Sequence, residues 1–272
     1  MFFCWRKALD FITVIITSYN QTPTLELLLS SLEHQTFKNF EVILADDGSS
    51  DGVENLSREP RGFPLRLVTQ PDEGYRKAKI LNQAVRVARG DYLVFLDGDV
   101  FLDRYFLEDH RALRVPRHFI CGRRVDLGPV FSKGLNAKAT APGEFSFLGL
   151  IWSALCRDSS GFKRCIRIPN RRLRKWLGYD RPIDLLGSNF SLWKQDLINV
   201  NGFNENFESY WGEDGDLFVR LKNSGNTSIG AKGVCIQYHL FHPRRPPTQA
   251  HIEHYQKALQ DTEYKWAKKG LV

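Results

Sequence analysis

The chain has 272 residues, of which 42% are hydrophobic and 25% are charged, and its formal net charge at pH 7 is +7. This length can bury a substantial core in one large domain or in a domain with an appendage. No run approaches the roughly 20 apolar residues that span a bilayer. The five cysteines include no C-x-x-C pair, which disfavours a disulfide framework and a zinc cluster.

The amino-terminal residues lack the layout of a secretory signal. Residues 1–5 are apolar, but the segment is short and Arg6 and Lys7 follow it. A signal peptide has its basic residues first and a longer apolar core after them. We therefore expect the reducing cytoplasm to be the compartment.

The first half of the chain alternates predicted strands and helices. Residues 11–17 are β-branched and apolar, as in a strand that is covered on both faces. Thr22 and Pro23 can then cap and open a helix with one stripe of leucines. Further strands are predicted over 41–45, 65–69 and 92–96, with a helix over 76–89. This order predicts a parallel sheet, with ligands beyond the carboxyl ends of its strands.

The second half is less regular. A strand is predicted near Phe119, and an apolar and basic insertion follows over residues 141–181. The regular pattern resumes at 184–193. The remaining predicted elements are a short helix ended by Gly202, a helix opened by Glu213 and Asp214, a strand over 227–238 and a terminal helix over 251–269.

Asp97 and Asp99 directly follow the predicted strand over 92–96. Two carboxylates that leave the carboxyl end of a buried strand form a hard-oxygen site for a divalent cation that carries phosphates. A D-x-D triplet alone is more often a solvated acidic turn. The assignment therefore depends on other residues.

Further acidic residues and two histidines also stand at predicted strand ends or helix starts. Asp46 and Asp47 follow the second strand, Glu213 and Asp214 open a helix, and His239 and His242 follow the last strand. Each has an ordinary explanation by itself: a tight turn, favourable charge at a helix start, or packing.

Together these features resemble the inverting glycosyltransferases of family 2. The matching blocks, in chain order, are residues 17–20, 45–51, 74–82, 95–99, 187–191 and 202–217. The last two blocks are most similar to the galactosyltransferase-type branch, which includes chondroitin-polymerase domains. The resemblance implies an α/β GT-A (Rossmann-like) fold with a mainly parallel sheet flanked by helices. The resemblance runs from about residue 11 to residue 242. We therefore expect a GT-A domain over 1–245, with a nucleotide-binding half over 1–100 and an acceptor half over 101–245, followed by a helical extension over 246–272.

The resemblance implies a donor site for a UDP-sugar with Mn²⁺ or Mg²⁺. The metal would be held by Asp99, with Asp97 close by, and His239 or, as the second choice, His242 would complete the coordination. The remaining donor residues would be Thr17, Tyr19 and Asp47 around the uridine, Arg76 and Lys79 at the phosphates, and Gly187 and Trp211 around the sugar.

The resemblance also implies a catalytic base. Inversion needs a single in-line displacement, so a base must take a proton from the acceptor hydroxyl. Asp214 matches the base of the family, Glu213 matches an acceptor or orienting contact, and Asp216 can be structural. Residues 210–212 read Tyr-Trp-Gly where the galactosyltransferase-like pattern has Trp-Gly-Gly, which affects acceptor recognition.

The insertion suggests a membrane surface as a partner. Residues 157–181 hold nine Lys or Arg residues and two Asp, directly after the apolar, Trp-containing stretch 145–155. An apolar segment followed by a basic one suits an anionic membrane surface. A solvated loop over a core helix is an equal alternative, and no nucleic-acid-binding motif accompanies the patch.

The sequence thus predicts a cytoplasmic, metal-dependent glycosyltransferase that acts on a glycan or lipid-linked glycan, with possible peripheral attachment to the inner face of the membrane. One alternative is a sugar-1-phosphate nucleotidyltransferase, which would want a Gly-rich phosphate loop where residues 17–20 stand. The other is a catalytically inactive nucleotide-sugar-binding module, which would not need Asp214.

Overall fold

The computed structural model describes residues 10–135, 151, 155, 158–208, 212–243 and 249–272. Within them, a sheet of seven strands has the order β3-β2-β1-β4-β8-β6-β9, and a second sheet of three strands has the order β5-β10-β7. The strands are β1 Ile12–Ser18, β2 Phe40–Asp46, β3 Leu65–Thr69, β4 Tyr92–Asp97, β5 Val100–Leu102, β6 His118–Cys121, β7 Arg124–Asp126, β8 Asn189–Trp193, β9 Thr227–Gly230 and β10 Gln237–His239.

Helices flank the large sheet. They are α1 Thr22–Glu33, α2 Val53–Arg58, α3 Lys77–Val87, α4 Phe106–Leu113, α5 Pro129–Gly134, α6 Arg171–Trp176, α7 Lys194–Ile198, α8 Glu213–Asn223 and α9 Gln249–Gln260, with a 3₁₀ turn at Phe162–Arg164. The predicted mixed α/β fold is confirmed. None of the helices in the described residues is long and apolar enough to cross a membrane.

The first four strands in the order of the large sheet are parallel, and the three inner ones, β2, β1 and β4, are buried on both faces. Strand β1 pairs with β2 on one side and β4 on the other, both parallel. Alternate β1 residues enter different cores: Val14 packs in the cluster that holds α1, and Ile15 packs in the cluster that holds α3. The carboxyl ends of β1, β2 and β4 therefore meet at one edge.

The small sheet determines where the histidines lie. In β10, His239 pairs with Val100 of β5 and with Asp126 of β7. Val100 directly follows Asp99, so this pairing brings a residue from near the end of the chain to the carboxyl end of β4. Strands β5 and β7 are short and were not predicted from the sequence.

Three predicted boundaries are wrong. The strand over 227–238 is two strands in different sheets, because Gly233 and Cys235 both have positive φ between them. The terminal helix ends at Gln260, where the Asp261 side chain accepts a hydrogen bond from the Glu263 amide and forms a turn. Thr22 is the first residue of α1 and does not cap it, since the N-cap position is Gln21.

Asn82 fastens α3 to the segment that precedes α8. This fully buried amide donates to the Phe203 carbonyl and to Glu205 and accepts from the Phe203 amide, each at 2.9 Å. We expect Asn82→Ala to lower the free energy of unfolding by about 2 kcal/mol, because it leaves buried backbone groups without partners. Urea unfolding would measure this, and the exposed Asn199→Ala, as the control, should change stability by less than about 0.5 kcal/mol.

Candidate active site

A cavity of about 520 Å³ opens at the carboxyl ends of β1, β2 and β4. It lies where the topology of a parallel sheet places a ligand site. Its lining comes from distant parts of the chain: Thr17, Ser18, Tyr19, Gln21, Asp47, Tyr75, Lys77, Ile80, Asp97, Gly98, Asp99, Arg124, His239, His242 and Pro243.

Asp99, His239 and His242 form a compact cluster at one end of this cavity, and their ligand atoms all lie within 4.8 Å of one another. Asp99 Oδ2 is 3.5 Å from His239 Nε2 and 3.1 Å from His242 Nε2, and the two histidine nitrogens are 3.3 Å apart. Burial alone would raise the pKa of Asp99, but hydrogen bonds from both histidines outweigh it and lower that pKa.

The cluster fits a divalent cation. Asp99 Oδ1 is buried and has no hydrogen-bond partner among the described residues. One carboxylate with two imidazoles is a donor set that suits Mn²⁺ and similar ions. The sequence analysis named His239 and His242 as alternatives, and the structure places both beside Asp99.

Asp97 is not part of this cluster. Its Oδ1 accepts a hydrogen bond from Lys77 Nζ at 2.7 Å and another from Thr17 Oγ1 at 3.1 Å. The side chain still lines the cavity. Asp97 therefore lies in the same cavity as the three-residue cluster, but its side chain is hydrogen-bonded to Lys77 and Thr17.

The nucleotide residues expected from β1 and β2 do reach the cavity. Asp47 accepts hydrogen bonds from the Gln70 side chain and from the Arg76 amide, and burial raises its pKa. Tyr19 is half exposed, and its hydroxyl donates to Asp72 at 3.0 Å. Thr17 lines the same wall.

The basic side chain that faces the cavity from the start of α3 is not one of the two expected from the sequence. The guanidinium of Arg76 is turned to Glu73 and to the Pro71 carbonyl, and neither it nor Lys79 lines the cavity. Lys77 lines it instead. Residues advance by about 100° around a helix, so Lys79 lies roughly 200° from Lys77 and on another face.

A second, much smaller pocket of about 10 Å³ lies beside the first, and Thr17 and Lys77 line both. Glu213, Asp214 and Gly187 also line it. The Lys77 Nζ is 2.7 Å from Asp97 Oδ1 and 3.3 Å from Glu213 Oε1. Lys77 thus links Asp97, which lines the larger cavity, with Glu213 of α8.

Asp214 is held by two backbone amides. The Gly187 amide donates to Oδ2 at 3.1 Å, and the Gly215 amide donates to Oδ1 at 2.8 Å. A Cβ atom at position 187 would lie 3.3 Å from Asp214 Oδ2, so a glycine leaves the carboxylate accessible. These two amides orient the carboxylate, and no side chain among the described residues is seen to form a hydrogen bond with it.

Glu213 and Asp216 differ from Asp214 in their surroundings. Glu213 is 5% exposed, and burial raises its pKa although Lys77 opposes the shift. Asp216 is fully buried and binds Arg220 Nε at 2.8 Å and the Tyr264 hydroxyl. These contacts of Asp216 tie α8 to the Tyr264 side chain, in line with the structural role that the sequence analysis considered for it. Trp211 lies outside the described residues.

We expect Lys77→Met to lower kcat/KM for transfer by roughly 10-fold, because it removes the charge that offsets two carboxylates beside the cavity. Lys77→Arg should retain most of the activity, and Lys79→Met is the matched control on the same helix. Steady-state kinetics with a UDP-sugar would measure the effect. Equal losses for Lys77→Met and Lys79→Met would contradict it.

Comparison with known proteins shows which families the chain resembles. Residues 13–147 match the family described as Glycosyl transferase family 2, and residues 170–243 match the N-terminal domain of galactosyltransferase. Chondroitin synthase of Escherichia coli is 31% identical over 253 residues, which are 86% of this chain and 35% of that protein. Validoxylamine A glucosyltransferase of Streptomyces hygroscopicus subsp. jinggangensis is 29% identical over 231 residues, 79% of this chain and 52% of that protein.

Solved structures share the fold at low sequence identity. A mannosyltransferase of Pyrobaculum calidifontis, in complex with GDP-Man and Mn²⁺, superposes with a TM-score of 0.58 at 19% identity, covering 92% of this chain and 64% of that one. TarS of S. aureus, in complex with UDP-GlcNAc, superposes with a TM-score of 0.58 at 17% identity. The match covers 86% of this chain and 59% of the TarS chain. The chain spans about a third of the length of chondroitin synthase and about half of the length of validoxylamine A glucosyltransferase. From its sequence blocks, its fold and these matches, the chain belongs to glycosyltransferase family 2, with the GT-A fold.

Proposed function

We propose that this chain transfers a hexose or an N-acetylhexosamine from a UDP-sugar to a hydroxyl of a glycan or lipid-linked glycan, with inversion and with Mn²⁺ or Mg²⁺. One observation carries the proposal. The Asp99, His239 and His242 cluster and the Asp214 carboxylate lie on two adjoining pockets that share Thr17 and Lys77.

The cavity residues divide the donor between them. Asp47 would accept from the uracil N–H, with Thr17 and Tyr19 beside the uridine. Lys77 would face the diphosphate, in the place first expected for Arg76 and Lys79. Asp99, His239 and His242 would hold the cation, which when bound offsets the charge of the diphosphate leaving group.

The transfer is a single displacement. An acceptor hydroxyl oxygen forms a bond to C1 of the sugar as the bond from C1 to the β-phosphate oxygen breaks and UDP leaves with that electron pair. Asp214 takes the hydroxyl proton. Its two amide contacts hold it in one orientation, and preorganisation of this kind lowers the cost of reaching the transition state. Glu213, beside it, would orient the acceptor.

The alternatives from the sequence are less consistent with the site. A nucleotidyltransferase needs a Gly-rich phosphate loop after the first strand, and the chain has residues 17–20 there, which contain no glycine. An inactive binding module has no use for a carboxylate oriented like Asp214. Two of the structural neighbours were solved in complex with GDP-Man and with UDP-GlcNAc, which supports a nucleotide-sugar as the donor of this chain.

A nucleotide-release assay tests the proposal. The chain would be incubated with a panel of UDP- and GDP-sugars, with Mn²⁺, with Mg²⁺ and with chelator. We expect UDP release from a hexose or N-acetylhexosamine donor that depends on the metal, even by slow hydrolysis without acceptor. Release of GDP alone would contradict the UDP assignment. Pyrophosphate exchange with a sugar 1-phosphate would favour the nucleotidyltransferase.

A further inference from the structure

Helix α6 presents its apolar residues to solvent and buries a cation. Arg174 is 4% exposed, whereas Trp176 is 79%, Leu173 is 42% and Leu177, just after the helix, is 38% exposed. Positions 173, 176 and 177 have i, i+3, i+4 spacing and therefore share one face. A surface helix normally buries its apolar face, so this arrangement is inverted.

The inverted helix is fixed to the body of the protein. Arg174 Nη1 donates to the carbonyls of Ile168 and Pro169 at 3.0 and 3.1 Å. The Ile168 amide in turn donates to the Gly233 carbonyl, in the turn between β9 and β10. The apolar face is thus displayed by an anchored helix.

Basic side chains lie along one side of this face, because residues advance by about 100° around a helix. Arg171, Arg172 and Lys175 are exposed, and in the part of the chain that the structure describes none of them forms an ion pair. Two other basic residues of the insertion face acidic side chains: Arg167 pairs with Asp109, and Arg174 lies 3.6 Å from Asp180. Helix α6 therefore carries three exposed cations within five residues.

We propose that the α6 surface, residues 171–177, docks onto a membrane that contains anionic lipids. Trp176 and the two leucines would enter the boundary between headgroups and acyl chains, where tryptophan is favoured, and the three free cations would meet lipid phosphates. The proposed contact, residues 171–177, is a short part of the segment 145–181 that the sequence analysis suggested for membrane contact. The apolar stretch 145–155 lies outside the described residues except at 151 and 155.

Two other partners fit this surface less well. A nucleic acid offers phosphates but no apolar layer to cover Leu173 and Leu177. A second copy of the chain, bound through the same surface in a symmetric dimer, would place like charges opposite one another, which is unfavourable. An anionic membrane supplies both the apolar layer and the opposite charge.

Flotation of the full chain with phosphatidylcholine vesicles, with and without phosphatidylglycerol, at low and high salt, tests the proposal. We expect binding only to the anionic vesicles, reduced by salt because exposed charges are screened. The variant R171E/R172E/K175E should bind roughly 100-fold more weakly. The matched control, K257E/K265E/K268E, changes the same net charge at exposed positions and should bind nearly as the parent does.

A second variant isolates the apolar contribution. The fluorescence of the parent should shift to the blue on binding to anionic vesicles, and Trp176→Gln should lose most of that shift. Absence of binding by the parent at low salt would overturn the proposal. Equal loss in the two triple variants, or a dimer that Trp176→Gln dissociates, would also overturn it. None of these three outcomes bears on the donor chemistry, which is measured separately with a soluble acceptor.

Discussion

Replacement of Asp99 by alanine should remove metal-dependent binding of UDP and lower transfer by roughly 10³-fold. Asp99 is the carboxylate of the metal cluster, and its Oδ2 lies within 3.5 Å of both histidines. Without it, two neutral imidazoles would have to hold the cation against the charge of the diphosphate. Calorimetry of UDP binding with and without Mn²⁺, together with steady-state rates, would measure both effects.

The fold should survive this replacement. The carboxylate contacts the two histidines, and its second oxygen has no partner among the described residues. Far-UV circular dichroism and Tm should therefore stay near those of the parent, and Asp99→Asn should give the same loss of metal binding. Full activity of the parent chain in chelator would refute the metal assignment.

Replacement of Asp214 by asparagine should lower turnover by roughly 10²-fold or more, with UDP affinity nearly unchanged. Asparagine keeps the size of the side chain but cannot take the proton of the acceptor hydroxyl. It also keeps only one oxygen for the amides of Gly187 and Gly215, so a small loss of stability, about 1 kcal/mol, should accompany the kinetic effect. Single-turnover rates and calorimetry on the same preparation separate the two.

Asp216→Asn is the matched control for Asp214→Asn. Asp216 is two residues along the same helix but is fully buried against Arg220. Its replacement should lower stability while turnover per folded molecule stays close to that of the parent. If Asp214→Asn loses UDP binding in parallel with its rate, Asp214 is a donor ligand and another residue must be the base.

Local patterns in the sequence were sufficient for most of the fold. Strands β1, β2, β3 and β4 were predicted within one residue at each end. Strands β1, β2 and β4 are buried on both faces, so they appear in the sequence as mostly apolar runs. The helical stripe of α3 was found by its 3.6-residue period. The D-x-D triplet and the acidic start of α8 correctly indicated the edge of the sheet at which the cavity opens.

The sequence by itself therefore determined the fold class, the family and the set of candidate residues, since these depend on local periodicity and on motifs of neighbouring residues. Only the tertiary structure decided which side chains lie together. Lys77 lines the cavity, whereas Lys79 lies on another face of α3 and the Arg76 guanidinium is turned to Glu73. The pairing of β10 with β5 brings His239 and His242 beside Asp99. The tertiary structure also showed that Arg174 is buried and that Trp176 is exposed. Side-chain direction and pairing between distant strands arise from packing of the whole chain, which no local pattern records.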